Sequence, residues 1–244
     1  MLIASFPAGA FQTNCYLVAE AAGTACVIVD PGVGAAEPVR RIIAEQRLRP
    51  AGIVLTHGHV DHIAAVEELC AEFDLAVWIH PADRHLLSDP GAGLGPQMAG
   101  QLASLAGRAT FAEPARVHDL TGEVVELGGF RIGLAHAPGH TAGSTLLRFP
   151  YADPANPAIS EVICTGDVLF QQSIGRTDLA GGDPAAMTRT LREVVLALPD
   201  SAAVLPGHGR QTSIGAERAH NPYLRPEALG LPMPANHDAK KDER

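Results

Sequence analysis

Lysine is almost missing from this chain. It occurs only as Lys240 and Lys241, so nearly all positive charge is arginine. Acidic residues outnumber basic ones by 27 to 18, and the formal net charge is -9. A chain that repels phosphates overall is a poor general nucleic-acid binder. Charged residues make up 18% and hydrophobic ones 46%, which leaves room for a sizeable core and excludes wholesale disorder. No apolar run approaches the ~20 residues of a membrane span. Met1 to Phe11 carries no cation ahead of its apolar residues and does not read as a signal peptide. The expected location is therefore the cytoplasm, with no membrane partner. The four cysteines, Cys15, Cys26, Cys70 and Cys164, form neither a CxxC pair nor a dense framework. Each sits in an apolar stretch, as expected of small buried hydrophobes in a reducing compartment.

The length, 244 residues, suits one domain with two halves. Strand-like runs open the first half at Leu2–Phe6, Cys15–Ala19 and Ala25–Val29, and Asp30-Pro31-Gly32 ends the third sharply. A helix is predicted from about Pro38 to Leu48, with Val39, Ile42 and Ile43 on one face. Gly52–Thr56 is a continuous apolar run, the mark of a strand covered on both sides. Ile63, Val66, Leu69, Cys70 and Phe73 recur at helical spacing, and Leu75–Ile79 reads as another strand. Residues 83–117 break the pattern with Asp89-Pro90-Gly91 and further glycines, around one helical stretch near Met98–Leu105. They are expected to form an insertion over one edge of the fold. The second half repeats the style. Glu123–Leu127 and Phe130–Ala135 flank Gly128-Gly129, a hairpin signal. Strands at Ser144–Phe149 and Ile159–Cys164 follow, then a helix opened by Asp183-Pro184, then a strand at Ala202–Leu205. From Asn221 the chain turns proline-rich and then charged. The domain is expected to span 1–224, with an extended or disordered tail over 225–244. Two halves of strands backed by helices predict an α/β fold, a four-layer αββα sandwich.

The chemistry concentrates in His57-Gly58-His59-Val60-Asp61-His62, directly after the apolar run Gly52–Thr56. Three imidazoles and a carboxylate within one loop suit zinc, iron or manganese. Gly58 allows the tight backbone that lets alternate side chains converge. A solvated polar loop capping the next helix is the plain alternative. Three further strand ends each offer a ligand type beside glycine: Pro138-Gly139-His140-Thr141, Thr165-Gly166-Asp167 and Pro206-Gly207-His208-Gly209. In α/β folds, functional groups gather at the carboxyl ends of strands. Each of these alone is an ordinary loop residue; together with the first motif they point to one metal centre.

HxHxDH, PGHTxGS, GDVLF, GRTDL and PGHG, in this order, resemble the metallo-β-lactamase superfamily. Within it the chain is most similar to the hydroxyacylglutathione hydrolases (glyoxalase II) and their shorter bacterial relatives, from about Leu2 to Leu224. The resemblance implies the metallo-β-lactamase fold and a cofactor of two divalent metal ions, zinc first, with iron or manganese as alternatives. It assigns His57, His59 and His140 to one ion and Asp61, His62 and His208 to the other. Asp167 bridges both, and Asp61 and Asp167 are the candidate catalytic carboxylates. A bridging carboxylate argues against true β-lactamase activity, and histidine at position 59, where flavodiiron relatives carry glutamate, argues against a redox flavoprotein.

The chemistry so implied is hydrolysis of a small acyl-thioester. Two divalent ions lower the pKa of a shared water toward ~7, and the resulting hydroxide attacks the carbonyl while an ion stabilises the oxyanion. No GxSxG motif and no base-paired cysteine offers a protein nucleophile. Asp30 either orients a ligand histidine or forms a turn. Thr56, Thr141 and Ser144 either hydrogen-bond around the ligands or serve as caps and turns. Arg176 stands where glyoxalase II carries a basic residue contacting the thiol part of the substrate, yet Asp178 is near enough for a structural pair. Arg210 stands where glyoxalase II carries a tyrosine contacting glutathione. His80, His85, His118, His136, His220 and His237 match no ligand position. About 36 residues follow His208, too few for the whole helical region with which classical glyoxalase II contacts glutathione. Another thiol carrier, with 83–117 lining the pocket, is therefore the alternative to glutathione. The competing enzyme is a single-iron persulfide dioxygenase using only His57, His140 and Asp167. The competing non-enzyme is a metal-binding module that kept the fold. The oligomeric state is open.

Overall fold

The computed structural model describes residues 1–95, 100–152 and 155–231. Its first sheet runs in chain order: β1 (Leu2–Ala8), β2 (Thr13–Ala19), β3 (Ala25–Val29), β4 (Arg49–Val54), β5 (Val77–Ile79) and β6 (Val117–Asp119). Pairing is antiparallel as far as β3 and parallel from there to β6. Parallel neighbours need crossovers, and helices supply them. Helix α1 (Ala36–Gln46) joins β3 to β4; α2 (Val60–Ile63) and α3 (Val66–Phe73) join β4 to β5.

Side chains of a strand alternate between its two faces. Leu17, Ile28, Ile53 and Val77 therefore meet Val39, Val66 and Leu69 beneath α1 and α3. Val18, Val27, Val29 and Val54 point the other way, into a second sheet. That sheet has the order β14 (Thr212–Ser213), β13 (Ala203–Pro206), β10 (Glu161–Gly166), β9 (Thr145–Pro150), β8 (Phe130–His136) and β7 (Val124–Leu127). Its inner face brings Ile132, Leu147, Phe149, Val162 and Leu205 against the first sheet. Its outer face packs Leu146, Ile163 and Val204 against Met187, Leu191 and Ile214. Those come from α6 (Pro184–Glu193) and α7 (Ile214–His220). The four layers are therefore helix, sheet, sheet, helix, the expected αββα sandwich.

Local chemistry fixes several boundaries. The Asp183 carboxylate accepts hydrogen bonds from Ala185 N (2.8 Å) and Ala186 N (3.0 Å), capping α6 as its sequence predicts. Gly128 and Gly129 both adopt positive φ, 62° and 89°, between the register partners Leu127 and Phe130. That is the two-residue hairpin turn that glycine permits.

One expectation gains detail and another changes. The segment 83–117 begins buried, with Asp83 2% exposed, and ends where Val117 starts β6, the edge strand of the first sheet. Between them, α4 (Gly91–Leu94) and α5 (Leu102–Ala106) lie along the chain, and Leu94, Leu102 and Leu105 pack on Val60 and Ala64. The packed chain also continues past Leu224. Leu229 is buried and Leu231 packs on the second core, so the expected tail begins later than 225. The rest of that tail, with His237, lies outside the described residues. All four cysteines are buried and free. No helix among the described residues is long and apolar enough to cross a membrane.

The two sheets are stitched at one end. Thr13 bridges to His208, and Asn14 N donates to Gly207 O (2.7 Å). Asn14 Nδ2 donates to Pro206 O and Gly209 O, and Tyr16 Oη donates to Pro206 O. Thr145 N donates to Thr56 O (2.8 Å) from the opposite direction. At this end β3, β4, β8, β10 and β13 release the loops that carry the polar motifs.

Candidate metal centre

After β4 the chain leaves the sheet at Leu55–Thr56 and places His57, His59 and His62 in the buried space between the sheets, 1%, 4% and 0% exposed. His140 arrives from the loop after β8, Asp167 from the end of β10 and His208 from the end of β13. Three sets of side chains converge closely enough to hold an ion: His57, His59 and His140; Asp61, His62 and His208; and Asp30, His57 and His62. Within each set the ligand atoms lie within 4.8 Å of one another. Asp167 touches the first two sets. Its Oδ2 is 3.6 Å from His140 Nε2 and 3.4 Å from His208 Nε2, and its Oδ1 is 3.3 Å from His62 Nε2. Asp61 Oδ2 lies 3.2 Å from His208 Nε2. The seven positions expected from the sequence thus meet in one place.

Their partners on the far side set which nitrogen faces inward. Asp30 Oδ1 accepts from Thr56 N (2.8 Å), and its Oδ2 accepts from Thr56 Oγ1 (2.6 Å) and His62 Nδ1 (2.9 Å). A neutral His62 held this way carries its proton on Nδ1 and would present a bare Nε2 to an ion. Thr56 Oγ1, its own proton committed to Asp30, accepts from His57 Nδ1 (3.1 Å). His140 Nδ1 donates to the Arg176 carbonyl (2.8 Å). Asp30 both orients a ligand histidine and makes a turn, since its φ is +51°. Both of its oxygens are thus engaged in orienting Thr56 and His62.

A metal ion fits what remains. His57 Nε2, His62 Nε2 and Asp167 Oδ1 are buried with no hydrogen-bond partner. Orphaned buried polar atoms are costly and rare unless something else satisfies them. His59 Nδ1 and His140 Nε2 face each other at 2.8 Å, a distance that two lone pairs tolerate only with a proton or a cation to share. The backbone crowds in as well. A Cβ at Gly207 would fall 2.2 Å from Asp167 Oδ1 and 2.7 Å from His62 Cε1, so only glycine lets that loop close on the ligands.

Burial drives the His57 pKa well below the usual imidazole value, helped by His62, His140 and His59. Burial, with His140 beside it, lowers His59 to about 3. Around the carboxylates the balance reverses. Burial pushes His208 down, but Asp167 and Asp61 raise it to about 9. His62 rises for the same reason. Burial pushes Asp61 up, and His62, His208 and Thr13 outweigh it and hold it at about 2. Burial thus favours neutral His57 and His59 in one set, while the carboxylates draw positive charge to His62 and His208 in the other; a divalent ion would suit both.

Thr141 Oγ1 donates to Asp83 Oδ2 (2.7 Å) and Ser144 Oγ accepts from Thr141 N (3.1 Å), so both side chains brace the His140 loop. The Arg176 guanidinium lies in an exposed bidentate pair with Asp178, at 2.8 Å for both bonds. Its contribution at the centre is the backbone carbonyl on His140, which sequence reading missed. Arg210 is exposed. Asp83 and Glu217, both buried, were missed too. The one signal for Asp83 was its place just past the carboxyl end of β5, level with the other ligand loops. Among the described residues, the remaining histidines join no ligand set; His80 stacks on His136 and His118 on Trp78.

Residues 8–208 match the family model for the metallo-beta-lactamase superfamily. The chain belongs to the metallo-beta-lactamase superfamily. An uncharacterized protein of Mycobacterium tuberculosis (strain ATCC 25618 / H37Rv) is 46% identical over 226 residues, covering 92% of this chain and 98% of the relative. The hydroxyacylglutathione hydrolase GloC of Haemophilus influenzae is 36% identical over 225 residues, covering 92% and 98%. Among solved structures, the BLEG-1 B3 metallo-beta-lactamase superposes with a TM-score of 0.75 at 36% identity, covering 91% of this chain and 99% of the other. TTHA1623 in a di-iron-bound form gives 0.70 at 34%, covering 92% and 100%. Membership of this metallo-hydrolase superfamily supports a metal-dependent hydrolase, with a histidine and aspartate cluster consistent with a dinuclear site.

Proposed function

We propose that this chain hydrolyses small acyl-thioesters, in the manner of a hydroxyacylglutathione hydrolase, with two divalent ions held by His57, His59 and His140 and by Asp61, His62 and His208. The observation that carries the reading is Asp167, whose carboxylate lies within 3.6 Å of His140 and within 3.4 Å of His208, members of separate ligand sets. A carboxylate so placed, with Asp61, His62 and His208 gathered as a second ligand set, suits a bridge between two ions. Ions in such a pair supply an acidified water and a Lewis acid for the substrate carbonyl. The chain's own part is to hold His57 and His62 in one tautomer through Thr56 and Asp30. It also keeps His59 neutral by burial and leaves His208, the most exposed of the five imidazoles at 30%, at the mouth where substrate enters. The similarity to GloC supports a thioester over other acyl compounds. A small-molecule substrate, rather than a nucleic acid or a membrane, fits the net charge of -9.

The test is elemental analysis of the purified protein, followed by assays of acyl-thiols, persulfides and a β-lactam under air and under nitrogen. Two ions per chain and oxygen-independent thioester cleavage are expected. One iron per chain with oxygen uptake on a persulfide would replace this reading with an oxidoreductase. Cleavage of the β-lactam alone would replace the substrate class. Asp167→Ala is expected to cut turnover roughly a thousandfold or more while the circular dichroism spectrum stays native.

A further inference from the structure

Each ligand set has its own brace, and the two braces share no residue. On one side, Thr13 Oγ1 donates to Asp61 Oδ2 (2.7 Å) and Thr13 pairs with His208 in an isolated bridge. On the other side stands Asp83. Its Oδ2 accepts from Gly58 N (3.0 Å) and Thr141 Oγ1 (2.7 Å), and its Oδ1 accepts from Gly143 N (2.8 Å). The first donor lies between His57 and His59. The other two follow His140 in the loop between β8 and β9 of the opposite sheet. A buried charge met by three aimed donors is a strong and directional clamp. Gly143 belongs to it, for a Cβ there would fall 2.5 Å from Asp83 Cγ.

We propose that Asp83 is a positioning residue for one ligand set alone: it fixes the gap between the His57–His59 loop and the His140 loop, and so the ion affinity of that set. Asp61, His62 and His208 do not depend on it. The proposal rests on the metal-centre reading above. Its consequence is a chain whose two ions are tuned by separate substitutions outside the ligands.

The experiment titrates the metal-stripped full chain with cobalt(II), read by calorimetry and by the visible bands of the bound ion. The wild type is expected to show two classes of site. His140→Ala and His208→Ala, each removing one class, identify them. Asp83→Asn keeps shape but turns one oxygen into a donor facing donors. It is expected to weaken the class lost in His140→Ala about tenfold or more and to leave the other within about twofold. Thr13→Val is expected to do the reverse. Thr141→Val removes one bond of the same clamp from the other end and reads the same effect if Asp83→Asn does not fold. Equal weakening of both classes, or wild-type affinity in both with only a lower melting temperature, overturns the proposal and leaves Asp83 a structural residue. A wild-type chain that takes up no cobalt overturns the metal-centre reading instead, before any variant is compared.

Discussion

Replacing Asp30 by asparagine changes one atom of a buried side chain that accepts three hydrogen bonds. The backbone survives the change, because asparagine tolerates the left-handed φ of +51° found there. If the amide oxygen stays on Thr56 N, the new NH2 group faces Thr56 Oγ1 and His62 Nδ1, both of which donate in the wild type. The hydroxyl can rotate away. The imidazole has two options. It can keep its proton on Nδ1 against another donor, at about 1–3 kcal/mol for an unmet buried group. Or it can move the proton to Nε2, the atom that faces Asp61 and Asp167 and is needed for an ion. Either way, the ion at His62 loses about 1–3 kcal/mol, which is roughly 5- to 150-fold in affinity. Competition with a colorimetric chelator measures this directly, and urea melts of the metal-free protein separate it from folding. Asp30→Asn with wild-type affinity at both sites would refute the tautomer argument.

Three further outcomes are expected. Glu217, 1% exposed, accepts from Gln172 N, Thr212 Oγ1 and Asn221 Nδ2, tying α7 to the hairpin of β11 (Leu169–Phe170) and β12 (Ser173–Ile174), whose Phe170 ring lies 5.9 Å from His208. Glu217→Ala is expected to cost about 2–3 kcal/mol in urea unfolding, since Gln172 N and Thr212 Oγ1 lose their acceptor while Asn221 Nδ2 keeps the Phe170 and Ser173 carbonyls. Arg176→Ala keeps the backbone carbonyl on His140 and breaks only an exposed pair. Stability is expected to move by less than about 1 kcal/mol, and steady-state kinetics to show KM raised more than kcat is lowered; an unfolded variant would instead make the Asp178 pair structural. The metal-free chain is expected to be most stable near pH 6.5–7. His59 holds its pKa near 3 when folded, below the ordinary 6.5, so stability falls as pH drops from 6.5 toward 3, and Asp61, near 2, adds a loss at the acid end. His208 titrates near 9 when folded, so its contribution is complete below 6.5 and fades as pH rises through 9. Melting curves from pH 4 to 10 in chelator test this; a melting temperature that climbs steadily to pH 10 would count against the His208 contacts.

The ligand set was legible because its members announce themselves locally. His57, His59, Asp61 and His62 share one loop, and His140, Asp167 and His208 each stand beside glycine at the end of an apolar strand. The layers were legible because the runs around Val27, Ile53 and Ile163 are apolar throughout and so must be covered on both faces. Asp83 was not legible, since two of its three partners are backbone N–H groups, which every residue has. The second part of Arg176 was hidden for the same reason: its side chain stood out in the sequence, while the carbonyl that holds His140 is a group every residue has. Strand β6, Val-His-Asp, has no apolar run, being an edge strand with two exposed residues. Strands β11, β12 and β14 are two residues each, and Gly215 interrupts the pattern of α7.

The stitched end of the sandwich has one more consequence. Each ligand set takes residues from both sheets: His57 and His59 with His140, Asp61 and His62 with His208. A cation seated there would act as a rivet through two plates. Sliding one sheet over the other would have to pull both rivets at once. Free ion at a hundred times its dissociation constant would then add about 2.7 kcal/mol per site against opening. Ion starvation would be felt across the whole interface between the halves, far from the histidines that lost their partner.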